Sequence, residues 1–207
     1  METLKVKLTF LEDVLGTAPA DEDVYGSYVG SKAPNADTIE DEIAALGLDE
    51  VKQKGRTVFP RLPDGRPFLY DYQIKGFFKD ACGMLSRVKK GEEDDGKKSP
   101  YVSSKLKAYK KIIDGLIFVG PRKIPIDFDG EVGDCQRPLR AMTMQGERVT
   151  LASSDEIPAE ATMEFEVVCL DPDHMKAVRE WLDYGKWRGI GQWRNSGKGR
   201  FTWEEID

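Results

Sequence analysis

The most constraining feature of the chain is a glycine-rich stretch near its end, residues 189–201. It reads GIGQWRNSGKGRF, so two glycine pairs, each split by one residue, flank five residues. Glycine reaches positive φ without a Cβ penalty and lets another backbone or a ligand come close. The stretch therefore predicts a tightly turned loop in which such an approach occurs.

Basic side chains surround this loop. They are Lys186, Arg188, Arg194, Lys198 and Arg200. Backbone N–H groups and cations hold phosphates, and the ring of Trp193 can stack on a base, so the loop suits a phosphodiester chain. Spacing alone leaves a second interpretation equally open, a glycine-rich hairpin whose charges are only solvated.

Composition sets limits on this interpretation. The 207 residues carry a net charge of −6, which argues against a protein coated with nucleic acid but leaves room for a local basic patch. Three widely spaced cysteines, Cys82, Cys135 and Cys169, favour neither structural zinc nor disulfides and predict a reducing cytoplasm. Neither a signal peptide nor an apolar run of membrane-spanning length is present, so no membrane partner is expected.

The N-terminal half alternates strand and helix patterns. Residues 4–11 place Leu4, Val6, Leu8 and Phe10 on one face, as in a half-buried strand. A long acidic insertion over residues 12–50 follows, with a short helix beginning near Asp37. The strongest helix is predicted over residues 72–90 on an apolar stripe that ends at Val88, and residues 91–100 form a polar, flexible loop.

The C-terminal half predicts a further helix over residues 105–114 and strands over 116–119, 123–126, 135–144, 149–152 and 163–170. Pro138 fits an edge strand or bulge. The last helix begins at Asp171-Pro172, with an N-cap and a first-turn proline, and is expected to end at Gly185. The glycine-rich loop and a strand over residues 200–205 complete the chain.

Three blocks in this order resemble the RAMP superfamily of CRISPR-associated proteins. They are the first strand with Leu15-Gly16 after it, the block PFLYDYQIKGFFK at residues 67–79, and the loop pattern G-x-G, five residues, G-x-G at 189–199. In the second block Asp71-Tyr72-Gln73 replaces the serine of the family's Ser-x-x-Lys-Gly helix start. Residues 147–165 also look like the type III backbone subunits that bind guide RNA.

The resemblance implies an α+β, ferredoxin-like (RRM-like) βαββαβ core in a single domain over residues 1–207. Its implied partner is single-stranded guide RNA, together with other effector subunits or copies of itself. The RNA-binding residues would be Lys75, Lys79, Gly189, Gly191, Trp193, Arg194, Asn195, Ser196, Gly197, Lys198, Gly199 and Arg200.

Catalysis is an alternative to binding alone. Processing members of the superfamily use acid–base chemistry, for which His174 is the single candidate histidine. Type III backbone subunits cut target RNA with an aspartate after the first strand, a position matched by Asp21 and Asp23, with Asp13 nearby. Only that activity would require a cofactor, Mg²⁺. A third interpretation is a subunit mimic or nucleotide-sequestering protein that inhibits a defence complex.

Overall fold

The structure, a computed structural model, describes residues 1–20, 56–88, 99–143 and 146–207. It is a mixed α and β fold with three α-helices among the described residues. The chain forms two compact units. The first comprises Met1–Val14, Arg61–Asp129 and Pro158–Asp207, and the second comprises Leu15–Pro60 and Gly130–Ile157.

The described elements follow one another in this order: β1 (Glu2–Phe10), β2 (Val14–Leu15), β3 (Ala18–Pro19), β4 (Thr57–Val58), β5 (Phe68–Tyr70), α1 (Asp71–Leu85), α2 (Tyr109–Leu116), β6 (Ile117–Gly120), β7 (Lys123–Pro125), β8 (Gly133–Thr143), β9 (Gly146–Ile157), β10 (Thr162–Cys169), α3 (Met175–Arg188) and β11 (Phe201–Glu205). Short 3₁₀ turns lie at Val102–Lys105, Pro172–His174 and Arg194–Ser196.

The first unit is built on a four-stranded antiparallel sheet in the order β11-β1-β10-β6. The predicted alternation of β1 is confirmed, because its apolar side chains are buried while Lys5 between them is exposed. Helices α1 and α3 contribute the other half of the core, in which the rings of Phe78 and Trp181 lie 5.4 Å apart. A two-stranded ribbon, β5–β7, leads directly into α1.

Helix α1 confirms the predicted apolar stripe but is shorter than expected. Its buried residues include Ile74, Phe78 and Leu85, as the 3.6-residue period requires. The helix ends at Leu85, and Val88, predicted to lie on the stripe, is 41% exposed. The predicted C-terminal end was wrong because Val88, three residues after Leu85, still fits the 3.6-residue spacing of the apolar stripe although it lies beyond the helix.

Gly185 does not end α3, contrary to the sequence prediction. The helix runs on to Arg188, and Gly189 caps it at φ 75°. A Cβ on Gly185 would lie 2.2 Å from the ring of Phe201 in β11. Gly185 therefore permits close helix–strand packing, a tertiary requirement that local sequence does not reveal.

Helix α2 begins at Tyr109, four residues later than predicted, because residues 102–105 form a 3₁₀ turn. The short strand predicted at 149–152 is part of the much longer β9. Of the inserted segments, residues 12–20 contain β2 and β3. The helix predicted near Asp37 lies outside the described residues, as does most of the 91–100 loop.

The second unit is organised by the β8–β9 hairpin, which pairs antiparallel from Gly133↔Glu156 to Thr143↔Gly146. Its sheet has the order β2-β9-β4-β3, with β8 joined to β9. Pro138 is accommodated because β8 pairs with β9 alone among the described strands. The buried carboxylate of Asp155 anchors this unit, accepting hydrogen bonds from Arg56 at 2.8 Å and from the Phe59 N–H at 3.3 Å.

Candidate nucleic-acid interface

The glycine-rich loop, residues 189–199, is closed by a contact between its two glycine pairs. The Ile190 N–H donates to the Gly199 carbonyl at 2.9 Å. Gly189 and Gly199 have φ of 75° and 69°, and a Cβ on Gly199 would lie 1.9 Å from the Ile190 oxygen. Both glycines are therefore required by close backbone approach, as their spacing predicts.

The closed loop is fixed to the turn after β1. The Gly199 N–H donates to the Asp13 carbonyl at 2.8 Å, and the Leu11 N–H donates to the Arg200 carbonyl at 2.7 Å. The N–H groups of Ser196 and Gly197 donate to carbonyls inside the loop. Several of the loop amides that the sequence offers to phosphate are thus used within the protein.

Several residues at the tip of the loop have left-handed backbone angles. Trp193 adopts φ 57° and Gly197 φ 88°, on either side of the 3₁₀ turn Arg194–Ser196, and Gly191 also has positive φ at 86°. The side chains of Asn195 and Ser196 are exposed, whereas Trp193 is half-buried. The tip presents small polar groups to solvent, and a half-buried tryptophan is less available for stacking than the sequence implies.

The cations of the loop are paired with carboxylates. Asp80 on α1 accepts from Arg188 at 2.8 Å and from Arg194 at 3.0 Å. Lys198 pairs with Asp13 and Arg200 with Glu12, both at 2.6 Å. Four cations and three carboxylates leave a single net positive charge, because Asp80 serves two arginines.

The two lysines of α1 form a separate cationic stripe. Lys79 pairs with Asp114 at 2.6 Å, and this hydrogen bond is the main reason that the pKa of Asp114 is lowered. Lys75 donates to the Asp114 carbonyl at 3.1 Å and lies 5.3 Å from the ring centroid of Phe118. Partial burial lowers the pKa of Lys75 because it disfavours the charged ammonium.

The candidate catalytic residues are not brought together. Asp21 and Asp23 lie outside the described residues, so their role stays a prediction. The nearby Asp13 accepts from the Ala159 N–H and from Lys198, which makes it an anchor of the glycine-rich loop. His174 lies beside Asp171 at the start of α3, about 20 Å along the helix from the loop at its other end.

Sequence reasoning missed a cluster of aromatic rings and cations at the start of α1. Tyr70 and Tyr72 stack with centroids 5.1 Å apart, and the Arg122 guanidinium lies within 6 Å of both centroids. The signal available in the sequence was the spacing of the two tyrosines. Arg122 comes from the turn before β7, some 50 residues later, and only the β5–β7 pairing reveals the contact.

The face of the first sheet that bears Lys5 is an unfavourable place for an RNA backbone. An open depression on it is lined by Lys5, Gly120, Glu164, Glu166 and Asp207. Glu166 lies opposite Lys5 and Glu164 opposite Lys7 in the β1–β10 register. Carboxylates dominate this surface, which favours an RNA contact at the α1 and loop side of the unit.

The described residues contain neither a membrane-spanning helix nor a metal-binding cluster. No helix in this part of the chain is long and apolar enough to cross a membrane. No cluster of three or more histidine, cysteine, aspartate or glutamate side chains in the same residues has the arrangement of a metal site.

Comparison with known proteins shows a likeness in structure alone. No protein-family model matches the chain, and no curated protein matches it. One similar structure is a chain in the cryo-EM structure of the type III-B Cmr-beta bound to cognate target RNA, with 10% identity and a TM-score of 0.50. The match covers 99% of this chain but 58% of that chain, so this protein spans little more than half its length.

A second similar structure is the crystal structure of Cmr6 from Pyrococcus furiosus, with 12% identity, a TM-score of 0.46 and 97% of each chain covered. At such identities the likeness to the Cmr-beta chain shows a shared fold. The RAMP resemblance implied an α+β fold, and the mixed α and β structure shared with this type III-B chain agrees with it at that level.

Proposed function

We propose that this protein is a RAMP-like RNA-binding subunit of a CRISPR-type effector complex, holding the backbone of a single-stranded guide RNA. The observation that carries the proposal is the glycine-rich loop, which backbone contacts fix in one conformation with Arg194 and Lys198 at its sides. A fixed array of cations binds phosphates without a large ordering cost. The similar Cmr-beta chain comes from a structure that contains target RNA.

The proposed core is the ferredoxin-like arrangement of the superfamily. Strand, helix, two strands, helix and strand follow one another as β1, α1, β6, β10, α3 and β11. The sheet order β11-β1-β10-β6 places the fourth and third of these strands on either side of the first. This order supports the proposal, with the short strands β2–β4, the β5–β7 ribbon, α2 and the β8–β9 hairpin as insertions.

Phosphates must compete with the carboxylates that already hold the loop cations. Asp80 is the clearest competitor, because it neutralises Arg188 and Arg194 together. The affinity for RNA is therefore expected to be moderate, and removing a carboxylate should raise it. Removing a cation should weaken it, so the two changes have opposite signs.

The test is the affinity of the purified protein for a fluorescently labelled single-stranded RNA at low salt, measured by anisotropy. Asp80→Asn should raise the affinity by roughly 2- to 5-fold, since removing one charge a few ångströms from a phosphate is worth up to about 1 kcal/mol in water. Arg194→Ala should lower it by a similar factor.

Lys176→Ala is the matched control for the loss of one positive charge. Lys176 is exposed on the first turn of α3, at the end of the helix remote from the loop. Its removal should leave the affinity unchanged. If Lys176→Ala and Arg194→Ala weaken binding equally, the RNA is attracted by overall charge and the loop is not its site.

Partners are part of the same proposal. A guide-binding subunit is expected to purify from its host with a defined RNA and with other effector subunits or copies of itself. Purification with a defence protein or a small nucleotide instead would favour the inhibitor alternative, which the sequence also left open.

A further inference from the structure

A surface of the first unit at the start of α1 combines stacked rings with cations, and it includes no residue of the glycine-rich loop. Its members are Tyr70, at the end of β5, Tyr72, in the first turn of α1, and Arg122, in the turn before β7. We call them the tyrosine–arginine cluster. The two phenol rings lie nearly parallel, 17° apart, with their centroids separated by 5.1 Å.

Arg122 lies beside the ring pair rather than across its end. Its guanidinium carbon is 5.6 Å from the Tyr70 centroid and 5.4 Å from the Tyr72 centroid, nearly the same as the distance between the rings. A cation capping one end of the stack would be several ångströms nearer to one ring than to the other. Arg122 therefore does not cover the end of the stack.

The cluster is held in place by the strand–helix junction. Asp71 accepts from Arg122 at 2.7 Å and from the Tyr72 N–H at 2.8 Å, and its own N–H donates to the Arg122 carbonyl at 3.1 Å. Gln73 accepts from the Tyr70 N–H at 2.7 Å, which completes the capping of α1. Rings held by backbone contacts lose little conformational entropy when a ligand stacks on them.

Exposure distinguishes this cluster from core packing. Tyr72 is 51% exposed, and the Arg122 side chain is 66% exposed. Ring–cation contacts in water contribute little to folding. The contact between the exposed Tyr72 ring and the exposed Arg122 guanidinium is therefore poorly explained by stability alone. Sites that bind single-stranded nucleic acids combine exposed, rigid aromatic rings with neighbouring cations in the same way.

Cations also flank the rings. Lys123 pairs with Tyr70 across the β5–β7 ribbon, and its ammonium lies 5.4 Å from the Phe68 ring. Lys75 follows Tyr72 by three residues on α1, so both lie on one side of the helix. The acidic group in direct contact, Asp71, is only 19% exposed. Lys75 and Lys123 are thus the cations outside the cluster that lie nearest to the two rings in sequence and strand register.

We propose that the tyrosine–arginine cluster is a base-stacking subsite for one unpaired base of single-stranded RNA, with the neighbouring phosphates at Lys75 and Lys123. The proposal rests on the RNA-binding function and adds to it a contact with bases at the start of α1. The base extends the stack on the Tyr72 side, and Arg122 lies alongside. Stacking is tolerant of sequence, so the subsite selects an unpaired base and not a particular one.

The experiment uses an oligouridine about ten nucleotides long, within the site sizes of single-strand-binding folds, carrying one 2-aminopurine. A matched strand of abasic ribose phosphate has the same charge and no bases. The full chain should bind the oligouridine more tightly than the abasic strand and quench 2-aminopurine fluorescence. Tyr72→Phe should retain both properties. Tyr72→Ala should lose the quenching and bind oligouridine roughly 5- to 100-fold less tightly.

Trp187→Ala is the control for aromatic exposure in general. Trp187 is 70% exposed with the Lys186 ammonium 5.7 Å from its ring, on the last turn of α3. Like the cluster, it combines an exposed ring with a nearby cation, but in the last turn of another helix. Its removal should not change the preference for oligouridine over the abasic strand.

The outcomes separate the two proposals. Equal loss of affinity for both strands on Tyr72→Ala, or unchanged quenching, would overturn the stacking subsite while leaving RNA binding in place. Loss of quenching on Trp187→Ala instead would move the bases to another surface and also overturn it. Failure of the unchanged protein to bind either strand at low salt would overturn the RNA-binding function and the subsite together.

Discussion

Replacing Gly199 by alanine tests whether close backbone approach fixes the glycine-rich loop. The added Cβ would lie 1.9 Å from the Ile190 oxygen, so the two backbones must separate. Alanine at φ 69° costs about 1 kcal/mol by itself. Separation also breaks the hydrogen bonds from Ile190 to Gly199 and from Gly199 to Asp13, each worth about 1 kcal/mol.

The expected free-energy loss for Gly199→Ala is therefore about 3–4 kcal/mol, or roughly 6–16 °C in Tm for a chain of this size. Gly65→Ala is the matched control, because Gly65 has φ 88° and nothing within 4 Å of its Cβ position. It should cost about 1 kcal/mol, from the backbone angle alone. The difference between the two variants isolates the close approach.

Thermal unfolding measures the overall loss, and hydrogen exchange at the Ile190 amide measures the contact itself. In Gly199→Ala this amide should exchange much faster, and the affinity for single-stranded RNA should fall with it. Gly65→Ala should leave both unchanged. A Gly199→Ala protein as stable as Gly65→Ala, with Ile190 still protected, would refute the argument that this contact holds the loop.

Three further predictions concern other parts of the molecule. Burial raises the pKa of the Cys82 and Cys169 thiols to about 11. At pH 8 their thiolate population is therefore roughly 100-fold below that of a free cysteine. An alkylating reagent should modify these two cysteines only after the protein unfolds, which mass spectrometry can detect. Asp155→Ala should lower the free energy of unfolding of the second unit by about 2–4 kcal/mol in urea, since it removes the acceptor of a buried Phe59 N–H and one of the two described carboxylates that pair with Arg56; a loss below about 1 kcal/mol would show that the carboxylate is dispensable. The purified protein with Mg²⁺ should bind single-stranded RNA without cutting it; cleavage that disappears in the Asp21→Ala, Asp23→Ala double variant would favour the ribonuclease alternative instead.

Sequence periodicity predicted the elements whose signals are local. The alternation of β1 and the apolar stripe of α1 follow directly from burial of one face, and the glycine spacing predicted the closed loop. Gly185 shows the limit of such reasoning, because a glycine in a helical pattern can mark an end or a close contact. Only the position of Phe201 decides between them.

The electrostatics of the site could not be predicted from the sequence. The basic residues near the loop are obvious, but the carboxylates that neutralise them are more than a hundred residues away, as in Arg194 with Asp80 and Lys198 with Asp13. Nothing in the local pattern indicates which acid meets which base. The same holds for Arg122 and the two tyrosines, which are joined only by the β5–β7 ribbon.

The most direct test of the central claim is the salt dependence of single-stranded RNA binding by the unchanged protein. If the loop and α1 cations neutralise about four phosphates, the logarithm of the association constant should fall against the logarithm of salt concentration with a slope of roughly −3. Binding should be clear at low salt and weak at high salt. No detectable affinity for RNA at low salt, or an affinity that does not change with salt, would contradict the account.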